Sequence, residues 1–151
     1  VVERLLQSAL QRYRIADHRQ GLAATLNNIG WHYCQIGDYA KGLIYSQDAV
    51  TLHQDLGNRP GAAAAWDTLG HAHHHLGDLQ QSTASYHKAL DLFVELGDQY
   101  HQGEVLLHLG DNHGALNELD AARHAWSQAK VLLNELDHHD AEKAVARLEG
   151  R

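Results

Sequence analysis

The stretch LGHAHHHLGD, residues 69–78, holds four histidines within five positions. Imidazole is a common metal ligand and the one ordinary side chain that changes charge near neutral pH, so the cluster suggests zinc coordination or acid sensing. On a helix His71 and His75 share a face and could offer two ligands, with Asp67 or Asp111 as a third. Zinc prefers four ligands, and Asp67 and His75 stand about 12 Å apart along a helix, so a single helix does not easily close the site. A resident metal is therefore not expected, and His71 and His75 remain the metal candidates. At about 100° per residue, His74 and His75 fall within about 60° of His71, whereas His73 is displaced by about 200°. The cluster thus serves two faces. Acid sensing rests on number, because the 14 histidines could nearly cancel the net charge of −7 in mild acid.

Other chemistries find less support. Cys34 is the only cysteine, so no internal disulfide forms; this fits a reducing cytoplasm. Paired with a histidine it could imitate a Cys-His nucleophile, but an unreactive helical cysteine is the commoner case. There is no Gly-rich phosphate loop, no nucleophile elbow and no strand pattern to carry one, so neither enzymatic activity nor a cofactor is expected. The scattered cations form no basic stripe, which argues against direct nucleic-acid binding. No apolar run is long enough for a membrane span. The chain begins Val-Val and contains no methionine, which suggests a piece of a longer protein.

What positions the histidines is an internal repeat. Ile29-Gly30, Leu69-Gly70 and Leu109-Gly110 recur at a spacing of 40, as do Gly37-Asp38, Gly77-Asp78 and Asn117-Glu118. Ala49, Ala89 and Ala129 follow the same step, as do Leu52, Leu92 and Leu132. Apolar residues within each copy step by three and four, predicting helices whose stripes face a neighbour. These stripes run Leu26, Ile29, Tyr33, Ile36; then Trp66, Leu69, His73, Leu76; then Leu106, Leu109, His113, Leu116. Gly37 and Gly77 suit a left-handed helix stop, Asn117 is the next best residue there, and Asp38 and Asp78 suit the following N-cap. Gly30, Gly70 and Gly110 sit mid-helix, where they predict close approach of a packed neighbour. His73 and His113 occupy the column of Tyr33 and are expected to be packed imidazoles with one hydrogen bond each.

The pattern Trp66-x-x-Leu69-Gly70, followed by Tyr86 or Trp126 and then Ala89 or Ala129, resembles the tetratricopeptide repeat. That repeat usually runs to about 34 residues, and the extra length here follows Ala49, Ala89 and Ala129. Gly42 and Ser82 stand at its usual small alanine, and Ser46 at its usual aromatic. The resemblance implies an all-α solenoid of antiparallel helical hairpins, about three and a half repeats in a single domain over 1–151. Residues 1–16 would be the second helix of a truncated repeat, 21–57, 61–97 and 101–137 the three repeats, and 138–150 a capping helix. The 40-residue copies and the tail from Leu136 to Leu148 are also similar to the C-terminal repeats of actinobacterial antibiotic-regulatory transcription factors, which carry DNA-binding and nucleotide-switch domains ahead of them. Similar long repeats occur in spindle-orienting scaffolds and in bacterial peptide-pheromone receptors.

In such arrays the first helix of each hairpin lines a concave groove that contacts a peptide or a partner helix. Carried over by column, the resemblance places Asn27, Trp31 and Gln35 there, with Cys34 beside them. From the second copy it adds Asp67, His71, His74 and His75, and from the third Glu104 and Asp111, with Leu107, Gly114 and Ala115. The expected partner is a protein or peptide segment, basic or neutral, including other domains of the same full-length chain. Apolar surface at the truncated N-terminal hairpin also allows a homodimer.

Overall fold

Twenty-residue punctuation builds the molecule. The structure, a computed structural model, describes residues 1–15 and 18–151. A left-handed residue recurs at Gly37, Gly57, Gly77, Gly97, Asn117 and Asp137, with φ between 51° and 82°. The amide one position later donates to the carbonyl five residues back, as in Asp38 to Tyr33 (2.9 Å) and Asp78 to His73 (2.9 Å). This backbone closure ends each helix and redirects the chain. At Gly37 and Gly77 a glycine meets the positive φ without steric cost; asparagine and aspartate are the side chains that tolerate it next best, and they stand at 117 and 137.

The helices between these stops are α1 (Val2–Ile15), α2 (Arg19–Gln35), α3 (Tyr39–Asp55), α4 (Arg59–His75), α5 (Leu79–Leu96), α6 (Gln99–Ala115), α7 (Leu119–Glu135) and α8 (Ala141–Leu148). Among the described residues there is no strand. Each helix packs against the next in order, and α2 also touches α4, so the chain is an all-α solenoid of helical hairpins. Ala16, expected to close the first helix, lies outside the described residues.

Four N-cap side chains bond the first turn of their helix: His18, Asp38, Asn58 and Asp98 accept from the amides of Gly21, Lys41, Gly61 and His101 at 3.0–3.2 Å. Asp78 sits at the N-cap of α5 but makes no such bond. It faces back to His73, 3.5 Å from Nδ1, as Glu118 does to His113 at 2.5 Å. Both histidines are mostly covered, so each packed imidazole has one carboxylate partner five residues on.

The core forms two clusters. One gathers Leu10, Leu26, Ile29, Val50 and Leu69, the other Tyr86, Phe93, Leu106, Leu109 and Leu133; Trp66 packs against both. The mid-helix glycines are where helices meet most closely. A Cβ on Gly70 would lie 2.8 Å from the buried Tyr86 ring, one on Gly30 would lie 3.0 Å from the backbone of Ser46, and one on Gly110 would run into the Trp126 ring. The predicted stripes end one turn early: Ile36 and Leu76 are 59% and 47% exposed. They fall at the C-caps, where the chain is already leaving the helix.

Candidate functional site

The first helices of the three hairpins, α2, α4 and α6, share a concave cavity of ≈ 680 Å³. Helix α4 forms its middle with Pro60, Ala64, Asp67, Thr68 and His71, one stripe at steps of three and four. Helix α2 supplies Asn27, Asn28 and Trp31 on one side. Helix α6 supplies His101, Glu104 and His108 on the other, with Asp98 at its N-cap and Phe93 and Leu96 from the end of α5.

The polar groups of this cavity are held in unusual states. Burial and the neighbouring Glu104 carboxylate push the Asp67 carboxyl up to about 7, against a smaller downward pull from His101. Burial also holds His71 down at about 4, helped by His75, His108 and His74. His108 is held at about 4 mainly by burial, although Asp111 opposes the shift. At neutral pH both imidazoles are uncharged. Asp98 is engaged, with its Oδ2 2.7 Å from Nδ1 of His101, whose ring stacks on Phe93.

Aromatic contacts fix the rim. Trp31, 43% exposed, packs against His71 with ring centroids 5.3 Å apart. His71 meets His75 edge-on at 4.5 Å, and His75 stacks on Tyr39 at 4.4 Å. Four rings from α2, α3 and α4 therefore form one ladder at this end.

The structure thus brings Asn27, Trp31, Asp67, His71 and Glu104 into one cavity; Gln35, His74, His75 and Asp111 do not line it. Gln35 is exposed beyond it, and His75 forms the outer rung of the ladder. His74 points instead to Asn112, Nδ1 to Oδ1 at 2.6 Å, while the Asn112 amide donates to Ser82 Oγ, which donates to the Gly70 carbonyl. Asp111 is occupied by Arg147 and Trp126. Cys34 and Leu107 are buried rather than groove-lining. The thiol packs under α3 where a Cβ on Gly42 would meet its sulfur, and burial pushes it up to about 11.

Sequence reasoning missed Asn28, Thr68, His101 and His108. A signal existed: Asn28, Thr68 and His108 recur at the 40-residue step, and the α4 stripe continues from His71 back to Pro60. The predicted columns favour the C-terminal ends of the first helices, whereas the cavity also reaches the first turns of α4 and α6, at Pro60 and His101.

His71 and His75 have no third ligand among the described residues. Among the described residues the one group of three ligand atoms within 4.8 Å is His138, His139 and Asp140, where Asp140 Oδ1 already lies 2.5 Å from Lys143 Nζ.

The tetratricopeptide repeat family model matches residues 63–93, which covers most of the α4–α5 hairpin. No curated protein matches the chain in sequence. Among solved structures, BtubC from P. vanneervenii superposes with a TM-score of 0.81 at 17% identity, over 89% of this chain and 56% of that one. The apo form of RapI gives 0.77 at 14%, over 96% and 43%. A signal-transduction ATPase with numerous domains (STAND) and a tetratricopeptide repeat sensor, from Pyrococcus horikoshii, gives 0.69 at 16%, over 96% and 27%. The fold is an all-α solenoid of the tetratricopeptide type, and the chain spans about half or less of the length of these structures.

Proposed function

We propose that the chain is a protein- or peptide-recognition module, the non-catalytic sensor or regulatory arm of a larger cytoplasmic signalling or transcription-control protein. The observation that carries this reading is the single concave cavity to which three successive hairpins each contribute their first helix. Its volume falls within the range of ligand pockets, about 300–1,000 Å³. The helices that line it are already packed and capped, so binding costs little ordering entropy, and the half-exposed Trp31 provides an aromatic anchor at its rim. Tetratricopeptide repeats generally serve protein interaction, and the sensor in the STAND ATPase has the same fold. The repeat pattern's similarity to the arms of actinobacterial antibiotic regulators supports the transcription-control form of the reading.

The test is selection of a displayed random-peptide library on this chain, followed by measurement of the selected peptides on Trp31→Ala and Ala64→Arg. The expected result is binding weakened at least about tenfold in both variants with little change in melting temperature. Selected peptides that bind both variants as tightly as the parent chain would place recognition outside the groove and overturn the reading.

A further inference from the structure

We propose that the groove recognises an arginine side chain carried on an extended peptide segment, with Asp67 and Glu104 as its acceptors. The proposal rests on the reading of the groove as a peptide site. It begins from what the cavity contains: carboxylates from Asp67, Glu104 and Asp98, and no lysine or arginine in its lining. Asp98 is already paired with His101. Asp67 draws no stabilising hydrogen bond from any described residue, although its environment strongly disfavours its charge. A second, independent observation is that Asn27 lines the same cavity and its Oδ1 is buried with no hydrogen-bond partner among the described residues. A buried acceptor left without a donor costs about 1–3 kcal/mol, so an incoming donor is favoured.

Guanidinium suits this set better than ammonium. It offers five N–H donors in a planar fork to carboxylate and amide acceptors, and it stacks on aromatic faces such as Trp31 and the uncharged imidazoles. The same helix already shows the pairing. One face of α6 holds Asp111 in the fork of Arg147, Nε to Oδ1 at 2.5 Å and Nη2 to Oδ2 at 2.8 Å.

Binding carries a proton signature. Asp67 faces Glu104, His101 and His108 of α6, with Asp98 at its N-cap and the Tyr100 hydroxyl near Glu104; Tyr86 of α5 and His71 of α4 complete its ionisable surroundings. Helix α2 contributes only Asn27, Asn28 and Trp31 to the lining. A guanidinium favours the ionised carboxylate, so Asp67 loses its proton as the segment docks. Affinity therefore rises with pH up to neutrality and then levels.

The experiment compares two pools of N-acetylated, C-amidated pentapeptides with randomised flanks, one with central arginine and one with the neutral isostere citrulline, titrated calorimetrically into the intact chain. The expected result is an arginine preference of at least about tenfold, lost in Asp67→Asn and in Glu104→Gln. The arginine pool should also bind more tightly at pH 8 than at pH 6, and Asp67→Asn should flatten that slope. Should Asp67→Asn fold poorly, Glu104→Gln carries the comparison. Equal binding of both pools, abolished by Ala64→Arg, would overturn arginine recognition and leave the peptide reading standing. Binding of neither pool, with no peptide selected from the library, would overturn both. Spermidine binding as tightly as the arginine pool would replace the peptide with a small polyamine and overturn the proposal.

Discussion

Arg147, near the end of the chain, clamps Asp111 of α6 while Trp126 Nε1 of α7 donates to the same carboxylate at 3.0 Å. One aspartate thereby joins three helices. Helix α8 has eight residues and buries only Ala141 and Ala144 fully, too little for a helix this short to persist alone. The hydrogen bonds to Asp111 also raise the pKa of Arg147, the sign of a guanidinium held in its charged form.

Arg147→Leu should therefore lower stability by about 1–2 kcal/mol and should release α8 first. Hydrogen exchange checks this: amides of 141–148 should lose protection while those of α4 and α5 keep theirs. Unchanged protection in α8 would mean that the two alanines alone hold it.

At Gly70 two rules disagree in sign. Helix propensity alone says that alanine should stabilise a mid-helix position by about 1 kcal/mol. The Tyr86 ring, 1% exposed, stands 2.8 Å from where the methyl would go and has no free side to move toward. Gly70→Ala should therefore destabilise the chain by about 1–3 kcal/mol in urea unfolding. A stabilised variant would show that the α4–α5 interface gives way easily.

Asp67 and the two cavity histidines respond to acid in opposite directions. The folded-state carboxyl of Asp67 lies above its unfolded value, so it destabilises the fold at neutral pH, and that cost disappears as pH falls from 7 toward 4. His71 and His108 lie below theirs, so they remain uncharged in the folded chain and lose stability over the same interval. Asp67→Asn should raise the melting temperature at pH 8, the gain should shrink toward pH 4, and the variant's acid slope should be steeper than the parent's. A gain independent of pH would mean that Asp67 is ionised in the folded chain at little cost.

The architecture was legible because its signals are local and repeated. Gly37, Gly77 and Asn117 are set by backbone geometry at their own positions, and Gly30, Gly70 and Gly110 by the ring or backbone lying opposite. The cavity was only half legible. Periodicity finds the face of a helix, but how deep each end of that face sits depends on how hairpins lean on one another. The column pattern includes Asp67 and Trp31, which line the cavity, but not His101 and His108, which line it too. Asn112 gave no warning in the sequence, because a fully buried amide is satisfied by Ser82 from another helix and by His74 from a third. Asp111 read as a groove carboxylate because nothing near it in the chain announces Arg147, 36 residues away.

The left-handed stops at Gly37, Gly57, Gly77, Gly97, Asn117 and Asp137 have one more consequence. The stops recur every twenty residues, and an aspartate or asparagine suited to the next N-cap follows four of the six, at 38, 58, 78 and 98. Recombination at equivalent stops could therefore delete or duplicate a whole hairpin without designing a new junction, leaving flanking helices with the ends they already have. A lineage carrying this chain can change the length of its concave face by unequal crossing-over alone.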